Sequence, residues 1–114
     1  MLFNPGVNVW LYQERVDLRK QIDGLSILVS SNMNKNPGSG EIFLFFSKKS
    51  DKIKILYWDR NGFWLCYKRL ETGSFKIPKN KETINYEQLC WLLDGLDINN
   101  LQGHKKLSYN TFYS

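Results

Sequence analysis

The chain is 114 residues long with a formal net charge of +5, a length that favours one core over two marginal ones. Its 42% hydrophobic residues can fill that core, and the 24% charged fraction argues against a disordered chain. No apolar run approaches the roughly 18 residues of a membrane span, and the start Met1-Leu2-Phe3-Asn4-Pro5 has neither a basic n-region nor a long apolar stretch, so the expected location is cytoplasmic, with no export signal and no membrane partner.

After Pro5-Gly6, the stretch Val7–Tyr12 alternates and predicts a strand with Val7, Val9 and Leu11 on one face. Asp17 is the expected N-cap of a helix whose stripe is Leu18, Ile22, Leu25, Val29 and Met33, ending near Asn34. Gly24 inside that helix costs about 1 kcal/mol relative to Ala; close packing of the helix on the sheet is the favoured return, a contact with a partner the alternative. Asn36-Pro37-Gly38-Ser39-Gly40 turns the chain, and the continuous run Ile42–Phe46 predicts a central strand.

A polar turn at Ser47–Asp51 leads into Lys52–Trp58, where Ile53, Ile55 and Tyr57 share a face and Lys52 and Lys54 lie opposite with Leu56 and Trp58. Asn61-Gly62 is a hairpin signal, after which Phe63–Leu70 returns as a strand and Phe75–Ile77 forms a short one stopped by Pro78. Asn85 and Gln88 propose a capping box for a last helix with Leu89, Leu92, Leu93 and Leu96 on its apolar face, closed near Gly95. The expected fold is therefore α+β: a small antiparallel meander sheet of four to five strands, a long helix after the first strand, and a C-terminal helix packed on it. Residues 1–98 are expected to form the single domain, and 99–114 a tail laid on the surface or disordered.

Charge is uneven along this order. Between Lys48 and Lys81 ten basic residues stand against three acids, a net of +7, which leaves −2 for the rest. Such asymmetry favours a polyanionic partner, although a solvated sheet face accounts for it as well. The candidate nucleic-acid-binding residues are Lys48, Lys49, Lys52, Lys54, Arg60, Lys68 and Arg69, on one sheet face or rim; Arg15, Arg19 and Lys20 form a secondary basic patch beside the first helix. Trp58, Trp64 and Tyr67 are interleaved with the lysines. Trp58 and Trp64 are the candidate stacking rings, weighed against the ordinary fate of large aromatics as core.

Nothing in the sequence assembles a catalytic site. Metal-assisted phosphodiester cleavage needs converging carboxylates, yet Asp51 and Asp59 fall in turns and Asp17 caps a helix; no acid stands two residues before a lysine. His104 is alone in the tail, no Gly-rich phosphate loop precedes a helix, and Cys66 and Cys90 lack metal-ligand spacing, so they are expected to be buried free thiols. No enzymatic activity, metal, cofactor or small-molecule substrate is expected.

Asp17-Leu18-Arg19-Lys20-Gln21-Ile22-Asp23-Gly24-Leu25 resembles the Asp-Met-Arg-Lys-Gly-Phe-Asp-Gly-Leu signature of the accessory, TnpB-type proteins encoded by the second open reading frame of bacterial transposons in insertion sequence family sixty-six. Asp51–Asp59, Gly62–Leu65, Lys68–Glu71 and Gly73–Phe75 resemble the family's central block in order and spacing, and Leu92–Asp97 its leucine-rich C-terminal block, so that the resemblance covers about residues 5 to 98. Gln21 departs from the pattern, where Gly is usual. The resemblance implies a non-catalytic helper in transposition beside a separate, larger transposase. Two readings of its contact stay open: a module that binds DNA at the transposon ends through the basic hairpin, or a protein-interaction module that binds the transposase of the same element or another helper without touching DNA.

Overall fold

The computed structural model describes residues 4–101. In chain order it contains β1 (Val9–Leu11), α1 (Ile22–Asn32), β2 (Ile42–Phe46), β3 (Lys52–Asp59), β4 (Gly62–Arg69), β5 (Thr83–Ile84), α2 (Tyr86–Leu93) and the short α3 (Ile98–Leu101). The strands make one sheet in the order β4-β3-β2-β1-β5. The apolar run of β2 lies at its centre with all five side chains buried, as a strand covered on both faces must.

The fold is α+β as the sequence predicts, and its sheet is mixed. β2, β3 and β4 form the antiparallel meander, whereas β1 runs parallel to β2. The helix between them explains this: a strand, a crossover helix and a second strand return the chain in the same direction. The two faces carry separate cores. Leu25 and Val29 of α1 cover Phe43, Phe45 and Leu56 on one face. On the other, Leu89, Trp91 and Leu92 of α2 close over Val9, Leu11, Ile42, Leu44, Ile53 and Ile55, each buried aliphatic or aromatic side chain adding roughly 1.5–3 kcal/mol.

Several local expectations are corrected. α1 begins at Ile22 after Gln21, which makes no side-chain cap bond. Asp17 caps a turn instead: its carboxylate accepts from the Arg19 backbone N–H at 3.0 Å, and its carbonyl from Lys20 at 3.1 Å. Leu18 thus packs on the α1-side core from this turn rather than from the helix. At the other end α1 stops at Asn32, and Asn34 takes a left-handed φ of 53°. A Cβ on Gly24 would lie 3.3 Å from the Lys20 Cβ, so the missing side chain makes room for the preceding turn, not for the sheet.

The hairpin loop between β3 and β4 is Arg60-Asn61, one residue earlier than Asn-Gly suggests, with Asp59 paired to Gly62 and Arg60 at φ 54°. Phe75–Ile77 is not a strand. This segment leaves the β4 edge and reaches the far edge, where β5 pairs with β1; on the way Phe75 is buried edge-on against Phe46, and its N–H donates to the Ser50 carbonyl at 2.7 Å.

α2 follows its sequence signals closely. The Gln88 N–H donates to Asn85 Oδ1 at 2.7 Å, and the Asn85 N–H to Gln88 Oε1 at 3.0 Å, a reciprocal capping box. Gly95 at φ 82° ends it, with the Gly95 N–H on the Leu92 carbonyl and that of Leu96 on Trp91, the Schellman pattern. Residues 99–101, expected as tail, continue in α3 behind buried Ile98; the rest of the tail, with His104, lies outside the described residues. Cys66 and Cys90 are free but only half-buried.

Candidate nucleic-acid interface

Strand alternation sorts the basic residues before any partner does. In the β3–β4 register Lys52 faces Arg69, Lys54 faces Tyr67, and Ile53 faces Lys68. Lys52, Lys54, Tyr67 and Arg69 therefore stand on the α1 side and Lys68 on the α2 side. The expectation of one face holding Lys52, Lys54 and Lys68 does not survive this register. Lys68 is engaged elsewhere: its Nζ donates to the Leu93 carbonyl at 2.7 Å, at the electronegative C-terminus of α2.

Lys54 is not a surface lysine. Helix α1 and the turn before it cover its face of the sheet, leaving the residue 7% exposed, and its Nζ donates to the Lys20 carbonyl at 2.9 Å. A face read as solvated because it carries lysines is in fact a second buried face, and Lys54 is enclosed with it.

What the fold brings together is a groove of about 780 Å³ between the turn at Asp17–Gln21 and the turn joining β2 to β3. Its cations are Arg19 on one wall and Lys48, Lys49, Lys52 and Lys54 on the other and at the floor; its acids are Asp17 and Asp51. Arg19, from the secondary patch, thus joins the hairpin lysines at a single site. Arg15 stays outside it, its Nε donating to Ser50 Oγ at 3.1 Å with the guanidinium 6.0 Å from the Phe46 ring. Lys20 supplies its carbonyl to Lys54 and its side chain to the space beside Gly24.

The groove's acids are already paired. Asp17 is gripped by Arg19 at 2.6 Å, and the Arg19 hydrogen bonds hold its carboxyl far below the ordinary range. Burial opposes the charge on Asp51, but hydrogen bonds from Ser47 and Lys52 outweigh it and lower its pKa. Lys48 and Lys49 are exposed in the turn and make no hydrogen bond or ion pair among the described residues. The arrangement can neutralise and partly desolvate an anion. Among the described residues no three His, Cys, Asp or Glu side chains converge as metal ligands.

The remaining candidates lie apart. Arg60 sits at the far end of the hairpin, 3.6 Å from Asp59, and Arg69 pairs with Glu71 at 3.1 Å. Trp58 is half-buried edge-on against Phe63, and Trp64, though 45% exposed, faces the α2 side with its Nε1 donating to Asp59 at 3.2 Å. The exposed ring at the groove is Tyr67. Alternation already put it opposite Lys68 in β4; the missing signal was the pairing partner, Lys54.

The family of IS66 Orf2 like proteins matches residues 7–103, a span that includes every element lining the groove. The chain belongs to this family. Among curated proteins it is similar to two from Sinorhizobium fredii: uncharacterized protein y4jC, 35% identical over 95 residues covering 81% of each chain, and uncharacterized protein y4hO, 31% identical over 94 residues covering 80% of this chain and 82% of that one. No solved structure matches. Membership in the IS66 Orf2 like family associates the chain with an accessory role in transposition, and the segment Asp17–Leu25, which carries the family resemblance, forms a wall of the groove and the first turn of α1. No described helix is long and apolar enough to cross a membrane.

Proposed function

We propose that the chain is a non-catalytic, cytoplasmic accessory protein of transposition that holds DNA at the transposon ends through the groove beside α1, next to the transposase of the same element. The observation that carries this reading is the charge of the groove: five cations against two acids, with Lys48 and Lys49 unengaged at its mouth. Phosphates meeting these ammonium groups release counterions, so contact is to backbone and gives affinity more than sequence discrimination. The family's association with transposition supplies the context in which that polyanion is DNA.

Fluorescence anisotropy with a labelled transposon-end oligonucleotide tests the reading. Affinity is expected to fall steeply as salt rises from about 50 to 200 mM, and Lys48→Glu with Lys49→Glu is expected to weaken it without disturbing the fold, because both side chains are exposed. Absence of binding at the lower salt, with the transposase still co-purifying from nuclease-treated extract, would overturn it in favour of a protein-docking surface.

A further inference from the structure

The inference rests on the reading of the groove as a DNA site and specifies which form of DNA enters it. We propose that the groove takes an unpaired strand, with one base stacked on Tyr67 and a phosphate held above Lys54.

Two observations, independent of net charge, point there. Lys54 is buried with the Lys20 carbonyl as its hydrogen-bond acceptor, and no carboxylate lies within ion-pair distance of it among the described residues. An ammonium on so enclosed a side chain, with a carbonyl and the Tyr67 ring as its partners and no carboxylate, still carries a charge that an anion can complete; the groove it lines leaves room for one. Tyr67 is its direct partner across the β3–β4 register, 54% exposed, with the ring centroid 5.9 Å from Lys54 Nζ. A ring of this size left open on a sheet face, beside a cation and along a basic groove, is the pairing of stacking platform and phosphate site that binds single strands.

The form of DNA follows from what Tyr67 can reach. In a duplex the base faces are covered by their neighbours, and only edges and backbone are presented. An exposed ring gains nothing from stacked bases, whereas an unpaired base offers its whole face. β4 is an edge strand, so a strand laid across Tyr67 leaves the groove past β4 without obstruction by another strand. A volume of about 780 Å³ lies within the roughly 300–1,000 Å³ of ligand-holding clefts, suited to a nucleotide or two rather than the convex side of a double helix.

The test compares an oligothymidine strand with a hairpin duplex of equal phosphate number, both labelled, at one low salt concentration. Wild-type protein is expected to bind the single strand more tightly. Tyr67→Ala is expected to weaken single-strand binding roughly tenfold, with Tyr67→Phe retaining it, while duplex affinity stays within twofold in both. Lys54→Met, checked for folding by circular dichroism, is expected to reduce the salt slope for the single strand by about one phosphate's share; should it fail to fold, the Tyr67 pair still decides. Duplex binding that matches or exceeds single-strand binding, with Tyr67→Ala neutral, overturns the strand assignment and leaves the DNA reading standing. Binding to neither form overturns both. Binding of labelled poly-glutamate under conditions where neither DNA form binds overturns both and assigns the groove to an acidic protein segment.

Discussion

At one end of the β3–β4 hairpin Lys48, Lys49 and Lys52 meet Arg19 across a groove; at the other, Arg60 and Trp64 both turn back onto Asp59. The two ends draw on the same residue types. They differ in how far the charge is satisfied locally. A single carboxylate forms an ion pair with the Arg60 guanidinium at 3.6 Å and accepts the Trp64 indole N–H at the loop end, leaving a self-contained surface cluster of the kind that contributes little. At the groove end two turns distant in sequence place more cations than acids in one concavity, and one of those cations is buried. A count of lysines cannot separate the two ends; the local ratio of charge to counter-charge does.

The largest expected contrast concerns stability. Phe75 pins the groove end, packed edge-on against Phe46 with its N–H on the Ser50 carbonyl. Phe75→Ala is expected to cost about 3–5 kcal/mol in urea denaturation and to loosen the turn bearing Lys48 and Lys49. Arg60→Ala at the loop end is expected to stay within about 0.5 kcal/mol. Similar losses from both would break the comparison.

Binding should show the same asymmetry at smaller scale. Lys48→Glu with Lys49→Glu is expected to lower affinity for DNA by roughly tenfold or more at low salt, whereas Arg60→Glu, which reverses a charge outside the groove, should change it less than twofold. Lys68 sharpens the point. It belongs to the same basic segment but points to the other face, so Lys68→Met is expected to leave DNA affinity unchanged and to cost about 0.5–1 kcal/mol through the lost bond at the C-terminus of α2.

Where local chemistry decides, the structure was legible in the residues. The capping box of Asn85 and Gln88, the all-apolar β2 and the split of Ile53 and Ile55 from Lys54 and Leu56 follow from period and side-chain type alone. Where the outcome depends on what lies across the sheet, it was not. Lys54 reads as solvent-facing until α1 is known to cover its face. Lys68 joins the same patch until the register puts it on the other side. Phe75 looks like a strand residue because its burial against Phe46 is a contact with the central strand, and Asp17 looks like a helix cap because the turn that uses it is closed by Arg19. Sequence separates Tyr67 from Trp58 and Trp64 by nothing that marks a site; pairing with Lys54 gives it its place.

The smallest effect concerns the groove's own acid. Asp51 is held in the carboxylate form by Ser47 Oγ at 3.0 Å and Lys52 Nζ at 3.3 Å against the opposing pull of burial, so its pKa in the folded chain lies below the ordinary value of 3.8. As pH falls, the unfolded chain takes up this proton first. The stability that Asp51 adds is therefore whole above the ordinary carboxylate range and drains away as pH drops through the folded value. Asp51→Asn cannot lose what it no longer has: over about pH 5 to 3 its melting temperature should fall less steeply than that of the wild type, Asp17 and Glu41 contributing to both. Parallel profiles would mean that the Ser47–Asp51–Lys52 contacts do not clamp the groove turn, and the contrast between the two ends of the hairpin would then rest on Phe75 and the unpaired lysines alone.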